Sequence, residues 1–369
     1  MLATGLLAGC GTSERASEDD LGNSGAQGCL LSREVMRVAE DVVRLERPAP
    51  AAAARFYAYV ASAYEEALEN GSQVAAVRTA GELIGVLYPA QAQGTRRELA
   101  SLDDRACFGP GDAGASADAD VLATYLARSR TDGSELIWDG RVPEGVGVWS
   151  SEGIEPATPR AGDWRRWAVR GEFTVPPPPS YGSRQDQEQL SKVEAVVAAR
   201  DGAQVAKVNF WGGTPGTDTP GGIWQNQLFA VLGPDLDDRT VEADRTYARA
   251  QAMLAQVIAD AFMECWKVKY TYWTARPSMR IPDLDLAMPD PPFPSYPSGH
   301  AVVSAAAAEV LAVMAPRHAA EWRRMSSDAA DSRLHGGVHF EIDTVEGTRL
   351  GTAVGREFAT RSGLEALTE

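Results

Sequence analysis

Two long segments with helical patterns in the last third of the chain restrict its fold more than any other feature of the sequence. Val241 to Trp266 keeps the spacing of one helix, and Ala301 to Ala315 is rich in Ala and Val. Ser304 and Glu309 interrupt the second segment, so it predicts a buried core helix; no stretch reaches the about 18 apolar residues of a membrane-spanning helix. Since few strand patterns occur after Leu31, we expect an all-α protein built from helical bundles.

Shorter helical patterns precede these two segments. They cover Ser32–Leu45, Ala51–Leu68, Gln73–Leu87, Asp118–Arg128 and Asp186–Arg200. Gly and Pro are frequent from Asp132 to Tyr181, which predicts irregular surface connections there. Asn209 to Trp224 is rich in Trp and Gly and is predicted to be a loop.

The composition indicates a folded chain with an acidic surface. Hydrophobic residues make up 44% and charged residues 23%, which is ordinary for a globular protein. The net charge of −16 argues against binding to nucleic acid or to anionic membranes. An anionic ligand would therefore need a local cluster of Lys and Arg.

The N-terminus has the form of a bacterial lipoprotein signal. A short apolar run and two small residues precede Cys10, and a polar, acidic stretch follows it as a flexible tether. We expect residues 1–30 to be this signal and tether, and the mature protein to be an exported periplasmic or cell-envelope lipoprotein. Its membrane contact would be only the lipid anchor on Cys10. The alternative is a frayed terminus with a chance cysteine, since no Lys or Arg precedes the apolar run.

Three further cysteines remain. In an oxidising compartment Cys29 and Cys107 could pair, whereas Cys265 lies in an apolar helical pattern and is expected to be a buried free thiol. The sequence has no Cys-x-x-Cys motif, so a zinc–thiolate site is not indicated.

Three basic clusters carry the chemistry, and the first is Lys269-x6-Arg276-Pro277. Seven residues are close to two helical turns, so both cations could lie on one face if the helix continues. Pro297-Ser298-Gly299-His300 is the second cluster and directly precedes the Ala301–Ala315 helix. Ser298 suits an N-cap position, and exposed backbone amides at such a helix start bind oxyanions.

The third cluster is Ser332-Arg333-x5-His339-x3-Asp343. His339 and Asp343 are four residues apart, so a helical backbone would let the carboxylate reach the imidazole and fix its tautomer. His318, near a helix end, needs no functional role, and a structural or supporting role is expected for His335.

Together the clusters supply three permanent cations, a hydroxyl group, backbone donors and two histidines. This set suits a tetrahedral oxyanion that passes through five-coordination. Each fragment alone is unspecific, since a Lys–Arg pair on a helix is usually a solvated face. Their conjunction in fixed order is specific.

The three clusters, in this order, resemble the signature of the type 2 phosphatidic acid phosphatase superfamily, which includes vanadium haloperoxidases and class A acid phosphatases. The resemblance implies an all-α fold with a four-helix core. It also makes His339 the axial ligand of vanadate, or the phosphorylated nucleophile of a phosphatase. By motif position His300 is the acid–base residue and Asp343 supports His339. The oxyanion oxygens would be held by Lys269, Arg276, Arg333, Ser298 and the Gly299 amide.

Finer features favour the haloperoxidase branch. The stretch Pro291–His300 looks like the loop of vanadium chloroperoxidases, in which aromatic residues at the Phe293 and Trp266 positions line the halide pocket. Plain core packing is an equal alternative for these two residues. The resemblance extends to individual sequence motifs from Asn209 to Gly355. Before Asn209 it concerns only the helical architecture. The stretches that carry it beyond the catalytic motifs are Phe210–Gly213, Thr219–Trp224 and Ser332–Phe340.

We therefore expect residues 31–369 to form a single helical domain. It would comprise N-terminal helices at 31–131, an irregular segment at 132–185 and a catalytic helical bundle at 186–369. Gly347, Gly351 and Gly355 recur every four residues and predict a helix that approaches a neighbour closely.

The resemblance implies a vanadium-dependent haloperoxidase that takes hydrogen peroxide and a halide, with vanadate as its cofactor and no haem. An acid phosphatase is the alternative; it would hydrolyse a phosphate ester through a phosphohistidine in the same pocket without a cofactor. A third possibility is a surface lipoprotein that keeps the fold but acts in binding or assembly.

Overall fold

The computed structural model describes residues 29–102, 116–138, 140–150 and 153–367. Within these ranges the chain forms α-helices and no strand beyond isolated bridge pairs, which confirms the predicted all-α class. The lipoprotein-like leader with Cys10 lies outside the described residues, as does Cys107. Cys29 is disulfide-bonded, and Cys265 is a buried free thiol.

Five helices precede the irregular segment and seven follow it in the described ranges. The first five are α1 (Leu31–Glu46), α2 (Pro50–Asn70), α3 (Gln73–Leu87), α4 (Ala92–Ala100) and α5 (Ala119–Thr131). The others are α6 (Arg184–Ala198), α7 (Gly202–Phe210), α8 (Thr219–Leu232), α9 (Val241–Tyr272), α10 (Gly299–Met314), α11 (Ala319–His335) and α12 (Glu341–Arg361). None of them combines the length and the hydropathy that crossing a bilayer requires.

The prediction of a loop from Asn209 to Trp224 was wrong in its second half, because α8 begins at Thr219. Pro220 stands in the first turn of α8, where its missing N–H costs no hydrogen bond. A Cβ atom on Gly221 would lie 3.0 Å from the Tyr57 ring of α2. Gly221 and Gly222 therefore allow close helix packing, whereas Gly213 and Gly216, which have positive φ, belong to the loop before α8.

Helix α9 is the central element of the fold. It has 32 residues, which corresponds to a length of about 48 Å, and the Thr240 hydroxyl caps it by accepting the Ala243 N–H at 3.1 Å. It packs against α2, α10 and α12. One hydrophobic core continues from the N-terminal helices through α9 to the C-terminal bundle.

The irregular segment between α5 and α6 is tied to α9 by a buried carboxylate. Asp260 accepts backbone N–H groups from Trp167 at 2.6 Å and from Ala168 and Val169, each at 3.0 Å. Three hydrogen bonds to one buried charge satisfy both the carboxylate and the backbone of the segment. The segment is thereby held in place on α9 although its described residues contain no α-helix.

The α10–α12 contact brings two parts of the predicted site together. A Cβ atom on Gly347 would lie 2.9 Å from the Ser298 carbonyl oxygen, and one on Gly355 would lie 2.7 Å from that of Ala306. Only glycine permits backbones to approach so closely, which confirms the interpretation of the glycine repeat. The N-terminus of α10 consequently meets the first turn of α12, where the Ser298 N–H donates to the Asp343 carbonyl oxygen at 2.9 Å.

Candidate active site

A cavity of about 490 Å³ opens where the α10 N-terminus, the end of α11 and the residues before α12 meet. Six of the predicted site residues line it: Trp266, Phe293, Gly299, His300, Arg333 and His339. The other four are fully buried and adjoin lining residues: Lys269, Arg276, Ser298 and Asp343.

His339 is held by Asp343, as predicted, but not within one helix. It lies in the turn before α12, and its Nδ1 is 3.0 Å from Oδ2 of Asp343 in the first turn. The same carboxylate oxygen accepts the Ser295 hydroxyl at 2.5 Å and the Phe340 N–H at 3.1 Å. A carboxylate at Nδ1 leaves the Nε2 lone pair of a neutral ring free towards the cavity.

The electrostatic surroundings keep the His339 ring neutral. Burial and the nearby charges of Arg276 and Lys269 hold the pKa of His339 well below its usual range. Burial also raises the pKa of Asp343 to about 6. His339 Nε2 is therefore available to bond an electrophilic centre in the cavity.

Lys269 and Arg276 do not share a helix face, because the helix does not continue to Arg276 as that prediction required. Helix α9 ends at Tyr272, and Trp273 takes a left-handed backbone conformation with φ of 50°. Arg276 follows in extended backbone. Two backbone hydrogen bonds from the irregular segment fix this loop. The Trp149 N–H donates to the Trp273 carbonyl oxygen at 2.6 Å, and the Ala275 N–H donates to the Gly147 carbonyl oxygen at 2.9 Å.

Arg276 is fully buried and keeps an unused donor. Its Nε donates to the Phe293 carbonyl oxygen at 3.0 Å and its Nη1 to that of Val338 at 2.6 Å. Nη2 is buried and has no hydrogen-bond partner among the described residues. A buried guanidinium nitrogen without a partner is costly, and an oxyanion would satisfy it.

Lys269 is likewise enclosed. Its ammonium donates to the carbonyl oxygens of Pro294 and Ser295, both at 2.7 Å, which leaves one of its three hydrogens for a ligand. Burial lowers the pKa of Lys269 to about 7. An anion bound beside it would restore the charged form.

Arg333 projects from the last turn of α11 into the cavity wall. Its Nη2 donates to the Val208 carbonyl oxygen at 3.2 Å, and its Nη1 lies 2.9 Å from the Met288 sulfur. Burial, and then the charge of Arg276, lowers the pKa of Arg333 to about 9. The charge of Arg276 thus lowers the pKa of both Lys269 and Arg333, and a shared anion would relieve this repulsion.

His300, in the first turn of α10, presents its other ring nitrogen to the site. Its Nε2 lies 2.7 Å from the Trp211 carbonyl oxygen. A carbonyl only accepts, so Nε2 carries the hydrogen and Nδ1 holds the lone pair of the neutral ring. Burial and the charge of Arg333 hold the pKa of His300 well below its usual range. Next to it, Gly299 adds the amide of a helix N-terminus to the cavity wall.

Trp266 and Phe293 form an aromatic wall beside the cations. Their ring centroids are 4.9 Å apart, and Lys269 Nζ lies 5.3 Å from the Phe293 centroid. The Trp266 indole N–H donates to the Ala157 carbonyl oxygen at 3.1 Å, which fixes the ring. Both rings belong to the core and also line the cavity, so the two interpretations of these residues are compatible.

These donors fit a tetrahedral oxyanion such as vanadate or phosphate. The unpartnered Arg276 nitrogen, the third Lys269 hydrogen and the Gly299 amide suit anionic oxygens, and His339 Nε2 suits the central atom. His318 lies elsewhere, paired with Asp235, and His335 does not line the cavity.

Several contributors were not found from the sequence. Ser295 donates to Asp343 and lies inside the recognised Pro291–His300 stretch. Its position two residues after Phe293 in that stretch could have identified it. Trp211 and Ala157 act through carbonyl oxygens, for which side-chain patterns give no signal. Met288 lines the cavity without belonging to any recognised motif.

We expect sulfate binding at about pH 8 to be accompanied by proton uptake from solution. Lys269, with its pKa of about 7, is mostly neutral there, and a bound dianion raises that pKa. Sulfate does not titrate in this range, so calorimetry in two buffers of different ionisation enthalpy counts the protons. Uptake at Lys269 should fade below about pH 6, where the amine is already protonated. Lys269→Met keeps the stem and should show no uptake at the higher pH; equal uptake would assign the proton to another group.

Comparison with known proteins finds one family match and several similar folds. Residues 249–362, which contain all three basic clusters, match the model of the PAP2 superfamily. No curated protein sequence matches the chain. The structure is similar to that of a bacterial vanadium-dependent iodoperoxidase, with a TM-score of 0.76 and 19% identity over 94% of this chain and 99% of that one.

Two further solved structures are similar over most of the chain. The apo form of a bacterial vanadium-dependent chloroperoxidase matches with a TM-score of 0.65 at 12% identity, covering 85% of this chain and 93% of that one. A holo form matches with a TM-score of 0.62 at 12% identity, covering 91% and 92%. Residues 249–362 thus match the PAP2 superfamily, as the motifs predicted, and the chain has the helical fold of the vanadium-dependent haloperoxidases.

Proposed function

We propose that this protein is a vanadium-dependent haloperoxidase that oxidises a halide with hydrogen peroxide. The observation that carries the proposal is the neutral His339, whose Nε2 is left free beside three buried cations. The similarity of fold to vanadium-dependent peroxidases extends over nearly the whole chain and supports the same reading. The aromatic wall of Trp266 and Phe293 offers a water-poor place for a halide next to the cations.

Each side chain has a task in this proposal. Vanadate, when bound, supplies a Lewis-acidic centre that activates peroxide towards halide without changing its own oxidation state. His339 Nε2 would hold its central atom, and Asp343 would keep the ring in the required tautomer. Lys269, Arg276 and Arg333 balance the charge of the oxygens.

His300 is placed to handle the protons. Its Nδ1 would accept a proton from hydrogen peroxide and later return it to a leaving oxygen, while the Trp211 carbonyl keeps Nε2 protonated. The net reaction consumes peroxide, halide and one proton and yields hypohalous acid and water.

The test is bromination of monochlorodimedone by the purified full chain after vanadate incubation. We expect turnover that requires vanadate, peroxide and bromide together, with about one vanadium per chain by metal analysis. Stoichiometric vanadium without bromination or chlorination would reject the haloperoxidase proposal.

Phosphate-ester hydrolysis is the second candidate, because the PAP2 match spans all the residues that a phosphatase would use. His339 Nε2 would attack phosphorus in line, and protonated His300 would donate to the leaving oxygen. Release of phosphate from p-nitrophenyl phosphate by vanadate-free protein, and its inhibition by vanadate, would favour this reaction.

We also propose that the protein is an exported lipoprotein, on the basis of the Leu6–Cys10 pattern. Labelled palmitate should be incorporated by the wild-type chain in a bacterial host. Cys10→Ala should abolish the label, and equal labelling of the variant would reject the lipid anchor.

A further inference from the structure

Met288 places a thioether in the cavity wall. It lies on the connection between α9 and α10, is half-buried, and is the only sulfur-containing side chain among the described residues that line the cavity. Its Sδ is 2.9 Å from Arg333 Nη1, so the sulfur stands beside one of the cations proposed to hold the oxyanion. His300 and His339 line the same cavity.

A thioether at this place has a chemical consequence that aliphatic side chains would not have. Thioethers are soft nucleophiles and are readily converted to sulfoxides by oxidants. Leu or Ile would fill the same volume without this reactivity. The proposed reaction would release its oxidising product into the space that Met288 borders.

We propose that Met288 is a turnover-dependent modification site, at which hypohalous acid formed in the cavity converts the thioether to a sulfoxide. The inference rests on the proposed haloperoxidase function. The Met288 sulfur attacks the halogen of hypohalous acid, so that a sulfur–halogen bond forms and hydroxide leaves. Water then adds to sulfur, halide departs and two protons are lost, one of which neutralises the hydroxide. In sum, thioether and hypohalous acid give sulfoxide, halide and a proton; sulfur is oxidised by two electrons and the halogen is reduced by two.

The modification would act back on the site through Arg333. A sulfoxide oxygen is a much stronger hydrogen-bond acceptor than a thioether sulfur. Placed beside Nη1, it would compete with a bound oxyanion for the Arg333 N–H groups. We expect oxidised protein to bind vanadate several-fold more weakly, so that activity declines as turnovers accumulate. Methionine sulfoxide reductases should reverse both effects.

Met279 provides an internal control. It is exposed, with 38% of its surface accessible, and it does not line the cavity. Oxidant that escapes into solution should therefore reach Met279 at least as readily as Met288. Three other methionines, Met36, Met263 and Met314, are buried and should stay unmodified.

The experiment treats the vanadate-loaded full chain with hydrogen peroxide and bromide in the presence of excess free methionine, and maps added oxygen by peptide mass spectrometry. Free methionine consumes escaped oxidant, so we expect several-fold more sulfoxide at Met288 than at Met279. Omitting bromide or vanadate should abolish the difference. Met288→Leu should increase the number of turnovers before activity halves, whereas Met279→Leu should not.

The outcomes separate this inference from the proposed function. Bromination of monochlorodimedone with Met288 unmodified, or with Met279 oxidised first, would overturn the modification site alone. Equal oxidation of Met288 with peroxide but no bromide would also overturn it, since the oxidant would then not be hypohalous acid. Absence of bromination together with an unmodified Met288 would reject both. Dialysis of labelled vanadate before and after turnover measures the expected loss of affinity independently of activity.

Discussion

Replacing His339 by alanine should reduce vanadate-dependent bromination by about 10³-fold or more, the usual scale for loss of a group that bonds the reacting centre. The reason is geometric. His339 Nε2 is free towards the cavity, and the Asp343 carboxylate at Nδ1 makes that ring the more basic ligand, whereas the Nε2 of His300 has only the neutral Trp211 carbonyl as its partner. Saturating vanadate should not rescue the rate, and equilibrium dialysis should show that stoichiometric binding is lost.

Two matched variants make this result specific. His318→Ala removes a histidine that pairs with Asp235 away from the cavity, so its rate should stay within about twofold of wild type. Asp343→Asn keeps the volume but weakens the hold on Nδ1, and an intermediate loss of about 10- to 100-fold is expected. If His339→Ala still bound vanadate at wild-type affinity, the assignment of Nε2 as the ligand would be wrong.

The identity of the site residues could be predicted from the sequence, but the support of Arg276 could not. Its position in an ordered set of motifs marked Arg276 as a cation of the site. Its backbone is fixed by hydrogen bonds of the loop to Gly147 and Trp149, more than a hundred residues earlier in an irregular segment. No local pattern encodes such a pairing, so helical spacing was applied where the helix had already ended.

In the fold, too, the features set by local sequence could be predicted, and those set by distant residues could not. The spacing of apolar residues predicted most of α9, since burial of one long segment imposes a helical period on its own sequence. The start of α8 was missed because its glycines were interpreted as loop residues. Tyr57 of α2 packs so closely against Gly221 and Gly222 that a side chain there would collide with its ring. Only the tertiary structure shows this neighbour.

Replacing a glycine of the α12 repeat should destabilise the protein strongly. Gly351→Ala should lower the free energy of unfolding by about 3 kcal/mol, at the upper end of the usual cost of overpacking a core. The added Cβ would overlap the Val302 carbonyl oxygen. It would also lie 2.8 Å from the Val302 carbonyl carbon and 2.9 Å from Ala305 Cβ. Backbone cannot rotate away as a side chain can, so α10 and α12 must separate. Denaturant unfolding followed by circular dichroism measures the loss.

Gly94→Ala is the matched control, because its new Cβ would meet nothing within 4 Å. It should change stability by less than about 1 kcal/mol, and in the stabilising direction for a helical position. The Gly351 variant should also lose bromination activity under conditions in which it remains folded. Separating α10 from α12 moves His300 relative to His339, and a shift of about 1 Å between reacting groups can cost about 10²-fold in rate. An unchanged unfolding midpoint would mean that the helices already have room for a methyl group, and that the glycines do not set the geometry of the site.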